Sequence, residues 1–259
     1  MTTPNPFDAL FAVPPAMAVL VCDITTVDVS TLHAQYGHWL SSDEQQRLSR
    51  FAHDEPAHAF LAARMVLRGV LAALHRCDPE CIELDKNAWD KPRLRAPASD
   101  WQFNLSHSHG WLALAVSQVG EVGVDIEYAA RSNAIERLAK RYFSSHEQAW
   151  LAEASAADYR QRFFDIWTLK EAYIKAVGKG LAVSLEGFGF TARDGRLQYR
   201  YEAGEPPSAA VQAWLSSALP ERPVACVLLS DRMLAVPPVF QCVTLSGQRA
   251  GPLSLDAIL

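Results

Sequence analysis

Two segments of this 259-residue chain align without a gap 103 positions apart. Ser41-Ser42-Asp43-Glu44-Gln45 corresponds to Ser144-Ser145-His146-Glu147-Gln148, and the match continues through Leu48/Leu151, Phe60/Phe163 and Ala73/Ala176. Both copies open on Ser-x-x-Glu, in which the serine oxygen and the glutamate carboxylate satisfy each other's orphan amides at a helix start. A longer helical pattern follows in each copy. Its apolar stripe is Phe60, Leu67, Leu71 and Leu74 in the first and Phe163, Trp167, Ile174 and Val177 in the second. Capped amphipathic helices look alike by chance, but a gap-free match over more than thirty residues favours duplication.

Strand-like runs lie between and after the copies. Residues 101–105 and 111–117 flank a turn-rich stretch, Ser106–Gly110, and 122–128 reads as a further strand. Residues 224–230 echo 112–117, a short strand is expected at 199–201, and Pro206-Pro207 and Pro237-Pro238 mark loops. The expected fold class is α+β. Two similar α+β halves, residues 1–119 and 120–259, are related by a pseudo-twofold and joined near Gln118–Gly120, with a ligand cleft between them.

With 49% hydrophobic and 20% charged residues, the chain has enough apolar material to bury a core and is not disordered. A formal charge of −5 argues against nucleic acid as a partner. The longest apolar run near the start, Phe11 to Cys22, is split by Pro14-Pro15 and falls short of the ~20 residues a bilayer demands. No Lys or Arg precedes Arg47, so no secretory n-region is expected. Five scattered cysteines read as reduced thiols. The expectation is a cytoplasmic protein with no membrane partner.

Four clusters carry chemistry. In Gly123-Val124-Asp125-Ile126-Glu127, a strand period of two puts both carboxylates on one face, where they can share a hard cation or simply form a wet edge. In Trp167-Thr168-Leu169-Lys170-Glu171-Ala172-Tyr173-Ile174-Lys175, Glu171 falls on the core-facing stripe and Lys175 one turn on. A carboxylate there needs a cation, the alternative being an ordinary surface pair. In the first copy Arg64 sits on the stripe with Arg68 one turn on; a buried guanidinium meets a carboxylate or a phosphate. Asn104-Leu105-Ser106-His107-Ser108-His109-Gly110 collects hydroxyls, amides and imidazoles that suit an anion. His107 and His109 with Asp125 would instead suit zinc in a hydrolase. Lys91-Pro92 adds a cation on a rigid turn.

The order Lys-Pro, Asn-Leu-Ser-His-Ser, Gly-Val-Asp-Ile-Glu, then Trp-Thr-x-Lys-Glu-Ala-x-x-Lys-x-x-Gly-Lys-Gly resembles the 4′-phosphopantetheinyl transferases. The likeness is to the surfactin-type branch, in which one monomeric chain contains two similar halves, and it spans about residues 40–190. The resemblance implies transfer of the phosphopantetheine arm of coenzyme A to a serine of an apo acyl or peptidyl carrier protein of fatty-acid, polyketide or non-ribosomal peptide synthesis. It implies Mg²⁺, with Mn²⁺ as a substitute, on Asp125, Glu127 and Glu171. Glu127, Glu171 and Lys175 would serve catalysis, with the choice of base between Glu127 and Glu171 open. Arg64, Lys91, Ser106, His107, Lys170 and Lys175 would contact coenzyme A. Arg131, Arg137, Lys140 and Arg141 form a basic stretch that would dock the carrier. A coenzyme A- or carrier-binding module without activity is the reading of a different class.

Overall fold

The computed structural model describes residues 4–130 and 134–258. The first half runs β1 (Met17–Asp23), α1 (Val29–Tyr36), α2 (Ser42–Leu48), α3 (Asp54–His75), β2 (Glu83–Lys86), β3 (Pro92–Ala96), β4 (Gln102–Ser108) and β5 (Trp111–Ser117). The second runs β6 (Glu121–Ile126), α4 (Ile135–Tyr142), α5 (Ser145–Ala152), α6 (Tyr159–Val177), β7 (Phe188–Arg193), β8 (Arg196–Tyr201), β9 (Val211–Leu219) and β10 (Arg222–Leu229). A tail adds β11 (Phe240–Val243), β12 (Arg249–Leu253) and β13 (Ala257–Ile258).

The duplication survives as topology. In each half the opening strand pairs antiparallel with the last strand, which pairs antiparallel with the one before it, giving β1-β5-β4 and β6-β10-β9. Three α-helices and a β-ribbon intervene in both, and the fold is α+β. Both Ser-x-x-Glu motifs form reciprocal capping boxes, at Ser41/Glu44 and Ser144/Glu147. The helix N-terminal amides therefore find partners within four residues, which is why these helix starts are legible in sequence.

Four layers follow from the burial. Val19 and Val21 of β1 face Val224, Cys226 and Leu228 of β10 between the two sheets. Leu20 and Cys22 face α3 on one side, and Ala225, Val227 and Leu229 face α6 on the other. Strands covered on both faces read as continuous apolar runs rather than alternating ones, and each fully buried Val or Leu contributes roughly 1.5–3 kcal/mol. Helix α3 is long and apolar enough to cross a membrane, but most of it is buried inside the fold.

Two expectations change. The hairpin turn expected over Ser106–Gly110 is only His109–Gly110, since β4 continues through Ser108 in register with β5 and both turn residues take positive φ. Ser106 and His107 are therefore strand residues. The tail, expected wholly within the second half, returns to the first sheet, where β11 pairs parallel with β1 and carries β12. Its last strand, β13, inserts between β9 and β8 of the second sheet. The open edge of β1 needs a partner, and the tail supplies it.

The halves differ where they might have been equivalent. At the same offset of 103, Leu20, Cys22 and Ile24 occupy the positions of Gly123, Asp125 and Glu127. The first set is buried under α3 with the apolar core. In the second, a Cβ on Gly123 would lie 2.0 Å from the Ala172 carbonyl and 2.3 Å from the Ala176 nitrogen, so glycine lets the α6 backbone rest on β6. Where the second half puts Asp125 and Glu127, the first has Cys22 and Ile24.

Candidate active site

Trp167, Glu171 and Lys175 recur every four residues along α6 and so share one stripe. Its ends grip β6 and the residue just beyond it. Trp167 Nε1 donates to Glu127 Oε1 at 3.0 Å, and Lys175 Nζ donates to Asp125 Oδ1 at 2.6 Å. Glu171, half-buried, lies one turn from each. The first half supplies the third wall. Ser106 Oγ of β4 donates to Asp125 Oδ1 at 2.7 Å and accepts from Lys175 Nζ at 2.8 Å. Asn104 Oδ1, two residues back, accepts from the Val124 amide at 2.9 Å and pins β4 onto β6.

Asp125 is buried, and its second oxygen, Oδ2, accepts no hydrogen bond. A buried, uncompensated carboxylate oxygen costs roughly 1–3 kcal/mol or more, so this atom is set up for a cation. An all-oxygen donor set of Asp125, Glu127 and Glu171 suits a hard divalent ion. Among the described residues, however, no three His, Cys, Asp or Glu side chains already enclose one point. Here Asp125 is engaged by Lys175 and Glu127 by the Trp167 indole.

Beside this junction lies a cavity of about 370 Å³ whose lining includes Arg47, Phe60, Arg64, Pro92, Asn104 and His107. It shares Arg47, Phe60, Arg64 and Pro92 with a wider groove of about 710 Å³ that adds Lys86 and Arg95. The Arg47 and Arg64 guanidinium groups stand 5.1 and 5.3 Å from the centre of the Phe60 ring. Arg64 Nε is buried without a hydrogen-bond partner, with the Glu44 carboxylate 3.4 Å away. Burial pushes the Arg64 guanidinium below its ordinary pKa, and the charges of Arg47 and Arg68 push the same way against Glu44. Two crowded cations and a half-desolvated donor are chemistry that suits an anion. Burial also lowers the pKa of His107, and the Lys175 charge adds to it, so the imidazole is neutral at neutral pH.

The structure thus brings together Ser106, Asp125 and Lys175, with Glu127 and Glu171 along the same helix stripe, and gathers Arg64 and His107 in the neighbouring cavity. Lys170 is not with them. It is buried, donating at 2.6 Å to both Glu147 Oε2 and the Phe188 carbonyl. Five residues of helix rotate it about 140° from Lys175, into the second core. Burial pushes the Lys170 ammonium down and the Glu147 carboxyl up, each opposed by the other's charge. Arg68 does the equivalent in the first half, bonding Glu44 at 2.9 and 2.7 Å and the carbonyls of Pro79 and Ile82. Lys91 Nζ lies instead on Glu121, Val122 and Ala176. The His109 ring packs at a tilt against Tyr128, centroids 4.9 Å apart. Arg137, Lys140 and Arg141 are exposed on α4, while Arg131 lies outside the described residues. The sequence reading missed roles for Asn104, Arg47 and the Trp167 indole. The tryptophan's spacing of four from Glu171 was the available signal.

Comparison with known proteins agrees with the motif order. A sequence model of the 4′-phosphopantetheinyl transferase superfamily matches residues 121–228, and one of the N-terminal part of a 4′-phosphopantetheinyl transferase matches 30–119. The 4′-phosphopantetheinyl transferase HetI of Nostoc sp. is 38% identical over 145 residues, covering 55% of this chain and 61% of that protein. A 4′-phosphopantetheinyl transferase of Bacillus subtilis is 32% identical over 169 residues, 65% of this chain and 74% of its own length. Sfp of Bacillus subtilis strain 168 is 31% identical over 150 residues, 58% and 65%. The two matched segments meet within the Gln118–Gly120 linker region, between the strand that ends the first half and the one that opens the second. With both halves matched and relatives aligned across their junction, the chain belongs to the 4′-phosphopantetheinyl transferase superfamily.

Proposed function

We propose that this protein transfers the 4′-phosphopantetheine arm of coenzyme A to a serine hydroxyl of an apo acyl or peptidyl carrier protein, releasing adenosine 3′,5′-bisphosphate. The observation that carries the reading is the junction of Ser106, Asp125 and Lys175, where a buried carboxylate with an unsatisfied oxygen meets an ammonium across the two halves. The serine oxygen bonds to the phosphorus bearing pantetheine, the pyrophosphate P–O bond breaks toward the nucleotide, and the serine proton passes to a carboxylate. Mg²⁺, or Mn²⁺ in its place, held by Asp125, Glu127 and Glu171 would neutralise charge on the diphosphate. Lys175 stands beside the same charge and neutralises the departing phosphate. Glu127 is buried and accepts from Trp167, so the more exposed Glu171 is the proton acceptor. Arg64 and His107, with Arg47, hold the nucleotide phosphates in the cavity they line.

Incubation with Mg²⁺, coenzyme A and a panel of apo carrier domains should add the mass of one phosphopantetheine arm to a carrier, read by intact-protein mass spectrometry. A panel that binds but gains no mass would instead mark a non-catalytic binding module.

His107 supplies a pH signature. Its pKa is depressed in the free protein by burial, and a facing phosphate would raise it, so binding takes up a proton. The bound-state pKa then exceeds the free-state one, and affinity for coenzyme A should rise as pH falls through about 7 to 6. Calorimetry in two buffers of different ionisation enthalpy should report proton uptake that His107→Gln abolishes. Identical uptake in the variant would remove His107 from the phosphate site.

A further inference from the structure

Among the described residues the β2–β3 ribbon is a sheet of its own, yet its tip reaches into the second half. The tip folds around Asn87, whose Oδ1 accepts from the amides of Trp89 at 2.8 Å and Lys91 at 2.9 Å. Its Nδ2 donates to the Gly178 carbonyl at 3.0 Å, just past the end of α6. Lys91 Nζ then donates to Glu121 Oε2 at 2.8 Å, the Ala176 carbonyl at 3.1 Å and the Val122 carbonyl at 3.3 Å.

An ammonium has three donors, and these three bonds use all of them. None remains for a phosphate, the role that the family resemblance implies for Lys91. Two of the acceptors decide what the contact does instead. Ala176 follows Lys175 directly, and Val122 lies three residues before Asp125 on β6. The last carbonyls of a helix are unsatisfied and carry the negative end of its dipole, so a cation there is favourable. One partly buried charge therefore ties the final turn of α6 to the start of β6. Gly178 permits the approach: it takes φ +71, and a Cβ on it would come within 2.8 Å of Lys91 Cδ.

We propose that Lys91, seated by Asn87, is a positioning residue that locks the last turn of α6 onto β6 and so sets Lys175 Nζ against Asp125 and Ser106. The first half thereby contributes two elements to the site, a wall through β4 and a strut through the ribbon tip. The kinetic arm of the test rests on the transferase reading; the labelling arm does not.

Lys91→Met and Asn87→Ala should each lower kcat by roughly tenfold to a hundredfold, as expected when a reacting group is slightly misplaced. KM for coenzyme A and Kd for adenosine 3′,5′-bisphosphate should stay within about twofold, and Lys91→Arg should recover part of the loss. In parallel, Lys175 should be acylated several-fold faster by trace acetic anhydride in both variants, read by peptide mass spectrometry. The proposal is overturned if Lys91→Met weakens nucleotide binding while Asn87→Ala is silent, because Lys91 then touches the ligand. It is equally overturned if both variants lose thermal stability while kcat and Lys175 labelling hold. A wild-type protein that modifies no carrier would sink the transferase reading, and labelling and nucleotide affinity would still decide the strut.

Discussion

Asp125→Ala is expected to reduce turnover by roughly 10²–10³-fold, about 3–4 kcal/mol of transition-state stabilisation, with the fold intact. The substitution removes the orphaned Oδ2 and the anchor of Lys175 together. The protein should tolerate this because the Lys175 side chain is 27% exposed and can reach water, and Ser106 Oγ still accepts from it. The loss should therefore appear in kcat, while Kd for adenosine 3′,5′-bisphosphate, set by the cavity around Arg64 and His107, stays nearly constant. Glu171→Ala should follow the same pattern. If both variants keep turnover within a few-fold of wild type, the three-carboxylate assignment is wrong. Unchanged kcat with a large loss of nucleotide affinity would instead move Asp125 into the binding pocket.

Lys170→Met should cost about 3–5 kcal/mol of stability, against the 5–15 kcal/mol typical of a whole domain. It leaves Glu147 buried beside two backbone amides without its counter-charge. Chemical denaturation would show the loss as a lower midpoint. Adding Glu147→Gln should recover part of it, since the amide oxygen still serves one of the two amides and no lone charge remains buried. Because Lys170 is remote from the cavity, nucleotide affinity of the folded variant should be unchanged. A stable Lys170→Met protein with weakened coenzyme A binding would restore the phosphate role that its place beside Glu171 in the sequence suggested.

Lys170 also shows where reading a sequence stops. Both lysines of the Lys-Glu-Ala-Tyr-Ile-Lys run carry the same charge, and nothing local separates a buried structural cation from one at the site. The separation is rotational, and which side of α6 meets β6 is set by Gly123, a glycine some fifty residues away. The Ser-His pair was misplaced for a smaller reason. Ser, His and Gly together read as a turn, but pairing with Leu112 and Ala113 of β5 kept Ser106 and His107 in the strand. Lys91 reads in the sequence as a cation on a rigid turn; the carbonyls it meets come from residues 31 and 85 positions away.

What the chain determined by itself was everything encoded within a helical turn or a strand repeat: both capping boxes, the paired long helices, the apolar runs of the inner strands and the order of motifs that marks the family. Those signals are short-range, since they depend on hydrogen bonds and periodicities spanning a few residues. Tertiary structure alone decided which charge faces which, because Ser106 and Asp125 reach Lys175 across 69 and 50 residues. Contacts of that separation are fixed by how the two sheets stack and how closely α6 can lie on β6, and no local pattern records either.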